Sequence, residues 1–345
     1  MSLRLLEMIV PEEHVNEVLK ILEENNLPNF WQTCGCESST IFRVIMPLEA
    51  TENLLNIIEA SYGHLPEFRA TLVALEASIP SPKELAEKAG ESAAGGEADS
   101  SGEPPLRVSR QELYNEVFYN SKLTKTFLLM VLLSSVVAAI GLIRDNTAVI
   151  IGAMVIAPLL GPNVAFSLAA TLGDSELGKN AIKTSITGIL FSFLLAMILG
   201  VFFTIDPTTP EIHARTVVSL ADLVLALASG IAGAMAFTSG ASAALIGVMV
   251  AVALVPPLVT SGLLLGAGHF AKAADAFLLL VINTICINIA GIITFLAQGI
   301  QPAQWWEAKK ARRMTVRAMA VWIFLLLVLL VIIILKAHEI APVSK

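Results

Sequence analysis

The arrangement of apolar and polar positions divides this 345-residue chain into two parts. Up to residue 80, short apolar runs alternate with charged residues, whereas from residue 126 onward few charges interrupt long apolar runs. A helix needs about 20 apolar residues to cross a bilayer. The pattern predicts a polytopic helical membrane protein with seven transmembrane helices, at 126–143, 147–172, 180–204, 216–237, 242–267, 274–297 and 317–336.

The first 80 residues have the pattern of a small soluble domain. Alternating apolar positions predict four strands, at 3–10, 29–37, 40–46 and 68–79. Apolar residues at helical spacing predict one helix that begins after Pro11 and a second over 50–62. The order βαββαβ is that of the ferredoxin-like split βαβ unit. Residues 1–80 are therefore predicted to form a cytosolic α+β ferredoxin-like domain, although a fold alone does not assign a ligand.

Two segments connect this domain to the apolar part. Residues 81–108 are rich in Ser, Pro, Glu, Ala and Gly, a composition that predicts a flexible linker. Residues 109–125 are predicted to form an amphipathic juxtamembrane helix, because Ser109 and Glu112 have the spacing of a capping box. This helix is expected either to lie along the cytoplasmic membrane surface or to dock on the membrane domain.

Composition agrees with a membrane protein and argues against other classes. Charged residues make up 15% of the chain, against about 25% in soluble domains. The net charge of −7 comes mainly from the acidic N-terminal part, so no nucleic-acid partner is expected. Cys34 and Cys36 have no cysteine or histidine cluster nearby in the sequence, and a metal site needs more ligands than two. We therefore expect no metal and no cofactor, and no enzymatic activity, since catalytic motifs are missing from the sequence.

Lysine and arginine positions predict the orientation in the membrane. The predicted inner loop 298–316 carries Lys309, Lys310, Arg312 and Arg313. Arg215 is the only lysine or arginine in the predicted outer loop 205–215. Because basic residues accumulate in cytoplasmic loops, and the N-terminus lacks the pattern of a cleavable signal peptide, we expect a multi-pass protein of the cell (inner) membrane. Its N-terminus would be cytoplasmic and its C-terminus outside.

The apolar part contains an internal repeat with an offset of 95 residues. The segments 148–173 and 243–268 align without a gap, and ten of their 26 positions are identical, with coincident glycine, methionine and proline. Each copy holds three predicted spans, an odd number, so the second copy must cross the membrane in the opposite direction. The sequence predicts an inverted 3+3 repeat, 126–204 and 216–297. Residues 298–345 then form a basic cytosolic loop and an additional transmembrane helix.

Paired helix interruptions mark the main candidate for a substrate or ion path. The residues concerned are Pro158, Gly161, Pro162 and Asn163 in the second span, with Pro256 and Pro257 in the fifth. Proline removes a helical hydrogen bond, and backbone groups freed in a membrane must be satisfied by neighbours, water or a solute. Interruptions at corresponding places in two repeats point to a transport site. The alternative is a kink that serves packing only.

Other polar and small residues of the spans are secondary candidates. Asp222 is expected either to bind a coupling proton or cation, or to form an interfacial salt bridge with Arg215. Ser229, Asn283 and Asn288 are expected to line a path or to bond across helices. The glycines predicted to serve helix packing are Gly152, Gly230, Gly233 and Gly247.

Three stretches resemble the DUF389 family of bacterial and archaeal membrane proteins. They are IGAMVIAPLLGP at 151–162, ARTVVSLADLVLALASGIAGA at 214–234 and LVPPL at 254–258. The resemblance covers about residues 120–300, and residues 1–80 resemble the N-terminal module of the longer members. It places at motif positions Gly152, Met154, Pro158, Gly161, Pro162, Asp222, Pro256, Pro257 and Asn283. The resemblance implies a membrane fold and no particular substrate.

These features lead to two hypotheses for the function. The first is a transporter or channel-like permease for a small solute or ion, with the substrate site between the repeats and the cytosolic domain as a regulator. The alternative is a membrane-anchored sensor or scaffold whose ferredoxin-like domain binds a ligand or partner. Small-residue stripes and the ferredoxin-like module both favour a homo-oligomer in the lipid bilayer.

Overall fold

The computed structural model describes residues 3–25, 27, 30–34, 39–75, 108–239, 254–302 and 305–340. The chain divides into two compact units, Met1–Glu112 and Leu113–Lys345. The boundary falls close to the start of the predicted juxtamembrane helix.

Over its described residues up to Leu75, the N-terminal unit contains a four-stranded antiparallel sheet and two α-helices. Its elements are β1 Leu3–Pro11, α1 Val15–Glu24, β2 Phe30–Cys34, β3 Ser39–Pro47, α2 Leu48–Tyr62 and β4 Arg69–Leu75. The strands lie in the order β2-β3-β1-β4, so that β1 has β3 and β4 as neighbours. The element order agrees with the sequence pattern, while the predicted strand ends at 35–37 and 76–79 lie outside the described residues.

Alternation along the two central strands builds the core of this unit. Successive side chains of a strand point to opposite faces, and β1 and β3 bury every second residue over most of their length. The buried side chains of both strands pack with α1 and α2 in one cluster that includes Leu6, Met8, Phe42, Val44, Leu22 and Leu54. Residues that alternate with these are polar in part, and Arg43 Nε donates to the Glu7 carboxylate at 2.6 Å.

Helix α3, Arg110–Asn120, begins with half of the predicted capping box. The backbone N–H of Glu112 donates to the Ser109 hydroxyl at 3.2 Å. The Glu112 carboxylate instead pairs with the Arg4 guanidinium of β1 at 2.9 Å. A guanidinium is a stronger partner for a carboxylate than a backbone amide, and the second half of the predicted box is replaced by this ion pair.

The second unit is helical after α3. Its helices are α4 Lys125–Ile143, α5 Thr147–Ile156, α6 Leu160–Leu172, α7 Ser175–Phe202, α8 Pro210–His213, α9 Leu220–Thr238, α10 Val255–Gly266, α11 Phe270–Ala297 and α12 Trp305–Ile340. Side chains cap several of these helices, as where Asn146 accepts the Val149 N–H at 3.1 Å to begin α5.

Among the described residues, five helices are long and apolar enough to cross a membrane: α4, α7, α9, α11 and the Ala311–Ile333 part of α12. α5 and α6 together make a sixth, bent by 51° at their junction. α10 has 12 residues, and the first part of the predicted span 242–267 lies outside the described residues. The predicted seven spans therefore correspond to five or six helices in the described part of the chain.

Large apolar side chains cover the outside of these helices. Ile186 of α7 is 60% exposed, Val224 of α9 is 67% exposed and Phe324 of α12 is 65% exposed. Soluble monomers rarely expose extended apolar patches, whereas hydrocarbon favours such a surface. The apolar helices therefore indicate a membrane protein.

One group of helix ends meets at the α6–α7 turn. The Thr315 hydroxyl of α12 donates to the Ala170 carbonyl of α6 at 2.8 Å. A Cβ atom built at Gly173 would lie 2.6 Å from Ala311 Cα, so α12 also lies directly on the turn. The C-terminal end of α6, the start of α7 and the first part of α12 therefore lie together.

A second group of ends contains the connections after α4 and α7. The Glu211 N–H of α8 donates to Asp145 Oδ1 at 3.0 Å. Lys272 Nζ, at the start of α11, donates to the Pro207 carbonyl at 3.3 Å. The end of α4, the end of α7 and the start of α11 thus lie together.

Candidate functional site

The junction of α5 and α6 contains the predicted interruption. α5 ends at Ile156, and Ala157, the residue before Pro158, is extended with φ −73° and ψ 118°. A residue before proline is disfavoured in the helical region because its backbone clashes with the proline ring. α6 begins at Leu160, so Pro162 lies in its first turn, where a missing N–H leaves no helical bond unmade. Both prolines lie at positions that helix ends tolerate.

Contacts within the protein satisfy and bury the residues at this break. The Asn163 side-chain amide donates to the Leu159 carbonyl at 2.9 Å, which satisfies a backbone group at the break. Pro162 and Leu159 are buried. A Cβ atom built at Gly161 would lie 2.6 Å from the Asn120 carbonyl oxygen at the end of α3. Any larger residue at position 161 would push the end of α3 away from the break, so this approach requires glycine.

Three buried polar side chains, here called the polar cluster, join α6 to α11: Asn163, Ser167 and Asn288. Asn288 Nδ2 donates to Asn163 Oδ1 at 3.1 Å and to the Thr284 carbonyl at 2.8 Å. The Ser167 hydroxyl lies 3.3 Å from Asn288 Oδ1 and 3.1 Å from the Asn163 carbonyl. The three residues are between 1% and 5% exposed. Their polar atoms are hydrogen-bonded to protein groups, as buried polar atoms generally are.

A second crossing, between α10 and α7, has the same geometry with apolar residues. A Cβ atom built at Gly262 would lie 2.6 Å from Ala196 Cβ and 2.8 Å from the Phe193 carbonyl. At the first crossing, a Cβ atom built at Gly291 would lie 2.7 Å from Ser167 Oγ. Shifts of 95 positions relate Gly262 to Ser167, Ala196 to Gly291 and Phe193 to Asn288. A close approach therefore occurs at both crossings, and the residues 95 positions from Ser167 and Asn288, Gly262 and Phe193, are apolar.

Pro256 and Pro257 lie in the first turn of α10 and are buried. Proline is well placed there, because the first helical N–H groups have no partner within the helix. The residues before Leu254 lie outside the described part, so the structure describes one of the two predicted interruptions. One turn later, Thr260 is fully buried, and its hydroxyl has no hydrogen-bond partner among the described residues.

Asp222 caps its own helix. It is the third residue of α9, and its Oδ2 atom accepts from the Ser219 backbone N–H and from the Ser219 hydroxyl, each at 2.8 Å. Arg215, the expected salt-bridge partner, pairs with Glu211 at 3.1 Å. The predicted Arg215–Asp222 pair is therefore replaced by two local contacts, a capping box and an ion pair between residues four apart.

Gly230 brings α9 close to α11, as its packing role predicts. A Cβ atom built there would lie 2.8 Å from Ala290 Cβ and 2.9 Å from Ile287 Cα. Ser229 and Gly233 are also buried in this helix. A close backbone approach of this kind is what small residues allow between membrane helices.

Three other predicted residues have different outcomes. Gly152 is exposed, and a Cβ atom built there would meet no described residue within 4 Å, so its packing role stays a prediction. Gly247 lies outside them. Asn283 is buried in α11 at 6% exposure, but the amide that bonds to α6 is that of Asn288.

Ser167 and Thr260 are not among the residues predicted from the sequence. Ser167 follows Asn163 by four residues in an apolar helix, and residues at that spacing share a helix face. This spacing was the available signal for the polar cluster. Thr260 has an alanine, Ala165, at the corresponding repeat position, and we find no signal for it in the sequence.

The polar cluster contains no ionisable group. Its donors and acceptors are two side-chain amides, one hydroxyl and backbone carbonyls. Over the residues that the structure describes, no three His, Cys, Asp or Glu side chains come together to hold a metal ion. The cluster can hydrogen-bond a solute, but it cannot take up or release a proton.

A tyrosine links α3 to the start of α7. Tyr114 donates its hydroxyl hydrogen to Asp174 Oδ2 at 2.8 Å. Asp174 also caps α7, since its Oδ1 atom accepts the N–H groups of Glu176 and Leu177 at 2.9 and 3.0 Å. Burial first, and then the hydrogen bond and charge of Asp174, raise the pKa of Tyr114 to about 12. The tyrosine is therefore neutral at any physiological pH.

Replacement of Asp174 by alanine is expected to lower the pKa of Tyr114 from about 12 toward the usual value, since only burial and the charge of Glu176 then raise it. A tyrosine whose pKa is raised on folding stabilises the protein below its unfolded pKa of about 10. That stability is lost as the pH rises through the folded value. Absorbance titration of tyrosinate measures the shift, with Tyr114→Phe to identify the signal among the three tyrosines. An identical titration curve in Asp174→Ala would contradict the contact.

Comparison with known proteins identifies a family and a relative. The model of the family described as "Domain of unknown function (DUF389)" matches residues 154–289, which include the whole polar cluster. The uncharacterized protein MJ0678 of Methanocaldococcus jannaschii is 34% identical over 335 residues. The match covers 97% of this chain and 99% of that protein. No solved structure matches the chain.

Proposed function

The chain belongs to the DUF389 family, and on that premise we propose that it is a membrane transporter or channel-like permease for a small solute or ion. The description of the family gives no activity, so the site carries the proposal. The main observation is a buried polar cluster on a broken helix, at one of two equivalent helix crossings. We propose no enzymatic role.

The helix bounds support two copies of one unit. A shift of 95 positions converts both ends of α4 into those of α9, and both ends of α7 into those of α11. Gly173 and Gly268, also 95 positions apart, both have positive φ, at 75° and 84°. Matching helix lengths and matching turns favour a true repeat over a chance similarity of apolar sequences.

The register of the crossings supports an inverted second copy. α6 and α7 are joined by residues 173–174 and run in opposite directions. Phe193 of α7 approaches Gly262 of α10, and Gly200 approaches Gly266, so these two helices run in the same direction. α10 is then antiparallel to α6, its counterpart in the first copy. Inverted copies with a discontinuous helix at their contact are a common architecture of secondary transporters.

The polar cluster supplies the chemistry of the proposed site. In the closed arrangement, the Asn163 side-chain amide donates to the Leu159 carbonyl, and the Asn288 side-chain amide donates to Asn163 Oδ1. A solute with a hydrogen-bond donor and acceptor can replace these partners when α6 moves away from α11, so that no buried polar atom is left unpaired. At the crossing at Gly262 the corresponding residues Gly262, Leu258 and Phe193 are apolar, and we propose that this crossing stays fixed.

We further infer a regulatory role and an orientation. The N-terminal unit has the βαββαβ order and the β2-β3-β1-β4 strand order of a ferredoxin-like fold, and we propose that it regulates the membrane unit from the cytoplasm. The group of ends at the α6–α7 turn includes the basic start of α12, where Arg312 and Arg313 are exposed. The preference of basic residues for the cytoplasm supports this side as the inner one.

A sensor or scaffold remains the second proposal, because the N-terminal unit has a complete hydrophobic core of its own. Such a unit can bind a ligand without any flux through the membrane unit. A ligand that stabilises the full chain through the N-terminal unit, in a protein that carries no flux, would favour this function over transport.

Flux measurements on proteoliposomes test the transport proposal. We expect the full chain to carry at least one solute of a panel of ions, small acids and neutral metabolites above the rate of empty liposomes. Ser167→Ala removes the hydroxyl of the polar cluster and is expected to change this flux by about tenfold or more, the effect of about 1.4 kcal/mol. The flux rises if the substitution destabilises the closed state more than the solute-bound state, and it falls in the opposite case.

Ser192→Ala is the matched control. Ser192 is also buried, and it bonds to Ser135 between α7 and α4 at 2.7 Å, away from the break. Its loss is expected to leave the flux within about twofold of the wild type, because its hydrogen bond joins α7 to α4 and does not involve the polar cluster. Background flux for every solute of the panel, in protein shown to be folded, would contradict the proposal.

A further inference from the structure

Four basic side chains lie together near the start of α12: Lys309, Arg312, Arg313 and Arg317. With Val316 they line an open surface cavity of about 450 Å³. A helix turns by about 100° per residue, so positions spaced by three, four and eight share one side. The cluster therefore forms a basic face at one end of an apolar helix.

Contacts on the opposite side fix the direction of this face. Thr315 is buried and donates to the Ala170 carbonyl at 2.8 Å, and Ala311 is buried next to Gly173. Farther along the helix, Trp322 packs edge-on against Phe166 at a centroid distance of 5.7 Å. These residues lie about half a turn from Arg313. α12 therefore holds its basic face outward and cannot turn it inward without losing these contacts.

The basic face has no anionic partner in the part of the chain that the structure describes. None of its four charged groups forms one of the observed salt bridges, and the Arg313 guanidinium donates only to the Lys309 carbonyl, at 3.3 Å. Like charges within one helical face repel one another. An external anion would remove this repulsion and would satisfy guanidinium donors in a forked geometry.

The apolar surface next to the cluster indicates which anion this is. Along the same face of α12, the side chains of Phe324, Leu327, Val328 and Val331 are 65%, 56%, 40% and 55% exposed. They begin about three helical turns beyond Arg313. A ligand with a phosphate at one end and hydrocarbon at the other would cover both surfaces.

We propose that the start of α12 is a binding site for the phosphate headgroup of an anionic phospholipid, whose acyl chains lie along the exposed apolar face of the helix. Arg312, Arg313 and Arg317 hold the phosphate, and Lys309 adds positive charge at the rim of the cavity. Basic clusters at the cytoplasmic end of a membrane helix attract anionic lipids electrostatically. The proposal requires a membrane protein but does not depend on transport.

Native mass spectrometry of the full chain in neutral detergent tests this site. Phosphatidylglycerol is expected to be retained in preference to phosphatidylcholine. Arg312→Gln together with Arg313→Gln is expected to weaken that retention roughly thirtyfold, from the loss of two charges near the headgroup. The variant with lysine at both positions keeps the charge and is expected to keep most of the retention, which separates recognition from a folding defect.

Lys179→Gln with Lys183→Gln is the matched control. Both lysines are exposed near the start of α7, on the same side of the membrane unit, and their loss removes the same charge. This variant is expected to retain the lipid as the wild type does. Equal loss of lipid in both glutamine variants would overturn a defined site in favour of general charge attraction.

Two further outcomes would also overturn the proposal. Inorganic phosphate that raises the thermal stability of the chain as much as phosphatidylglycerol does would assign the basic face to a free anion. A dimer that persists without lipid, and that dissociates in the variant with glutamine at 312 and 313, would assign the face to a second copy of the chain.

Discussion

Gly266→Ala is expected to destabilise the membrane unit more than any other single methyl group added to it. A Cβ atom at position 266 would lie 2.1 Å from the Met197 carbonyl oxygen of α7, which is a backbone atom. On the other helix, a Cβ atom at Gly200 would lie 2.2 Å from the Leu263 carbonyl oxygen. Because neither contact can be relieved by a side-chain rotation, α7 and α10 must separate along their whole crossing. We expect a loss of about 3 kcal/mol, the upper part of the range for overpacking.

Thermal unfolding in detergent, followed by tryptophan fluorescence, measures this loss. Gly152→Ala is the matched control, since Gly152 is also a helical glycine in an apolar span but has no described residue within 4 Å of its Cβ position. Alanine is the better helix former by about 1 kcal/mol, so Gly152→Ala should be neutral or stabilising. Equal effects at the two positions would contradict the close crossing of α7 and α10.

Asn288→Leu is expected to produce the second largest loss of stability, about 2 kcal/mol. It removes the amide that donates to Asn163 and the carbonyl oxygen that faces Ser167. Asn163 then keeps a buried carbonyl oxygen without a donor, which costs more than the net value of the bond. Hydrogen bonds between membrane helices average only about 0.6 kcal/mol, so the expected loss comes mainly from this stranded group.

A double-mutant cycle with Asn163→Leu separates the cost of leaving the Asn163 carbonyl oxygen without a donor from the cost of altered packing. A leucine, Leu258, stands 95 positions after Asn163 in the sequence and is fully buried in α10, so leucine is a suitable replacement in size. The double variant is expected to be more stable than the sum of the single losses predicts, by about 1 kcal/mol. Additive losses in the unfolding free energy would contradict a direct Asn163–Asn288 bond.

The break between α5 and α6 shows which structural features the local sequence can predict. Pro158 disfavours a helical residue before it, and Pro162 is acceptable only within a first turn, so the place of the break follows from covalent geometry. The same local reasoning accounts for Pro256 and Pro257 in the first turn of α10. The glycines are different, because sequence alone assigned packing roles to both Gly152 and Gly230. Of these two, Gly230 has another helix against it among the residues that the structure describes, and Gly152 does not.

Asp222 is the opposite case, because its contacts are local although the sequence suggested a charge buried in the membrane span. The sequence placed a carboxylate in an apolar span, which suggested a costly buried charge. Ser219, three residues earlier, gives it a capping role at the start of α9. Local contacts account for the role of Asp222. To predict that role, one must know the residue at which the helix begins. Helix ends are the least certain feature of a sequence pattern.

The sequence by itself determined what depends on hydrophobicity and backbone stereochemistry. These features are the apolar helices, the small N-terminal α+β domain, the proline break and the 95-residue offset. Tertiary structure decided which residues meet across helices. Ser167, Asn163 and Asn288 form one cluster, while the residues 95 positions from them in the sequence, Gly262, Leu258 and Phe193, are apolar. Residues 125 positions apart come together only through helix packing, and in an apolar medium that packing depends on shape and on a few hydrogen bonds, which no local pattern encodes.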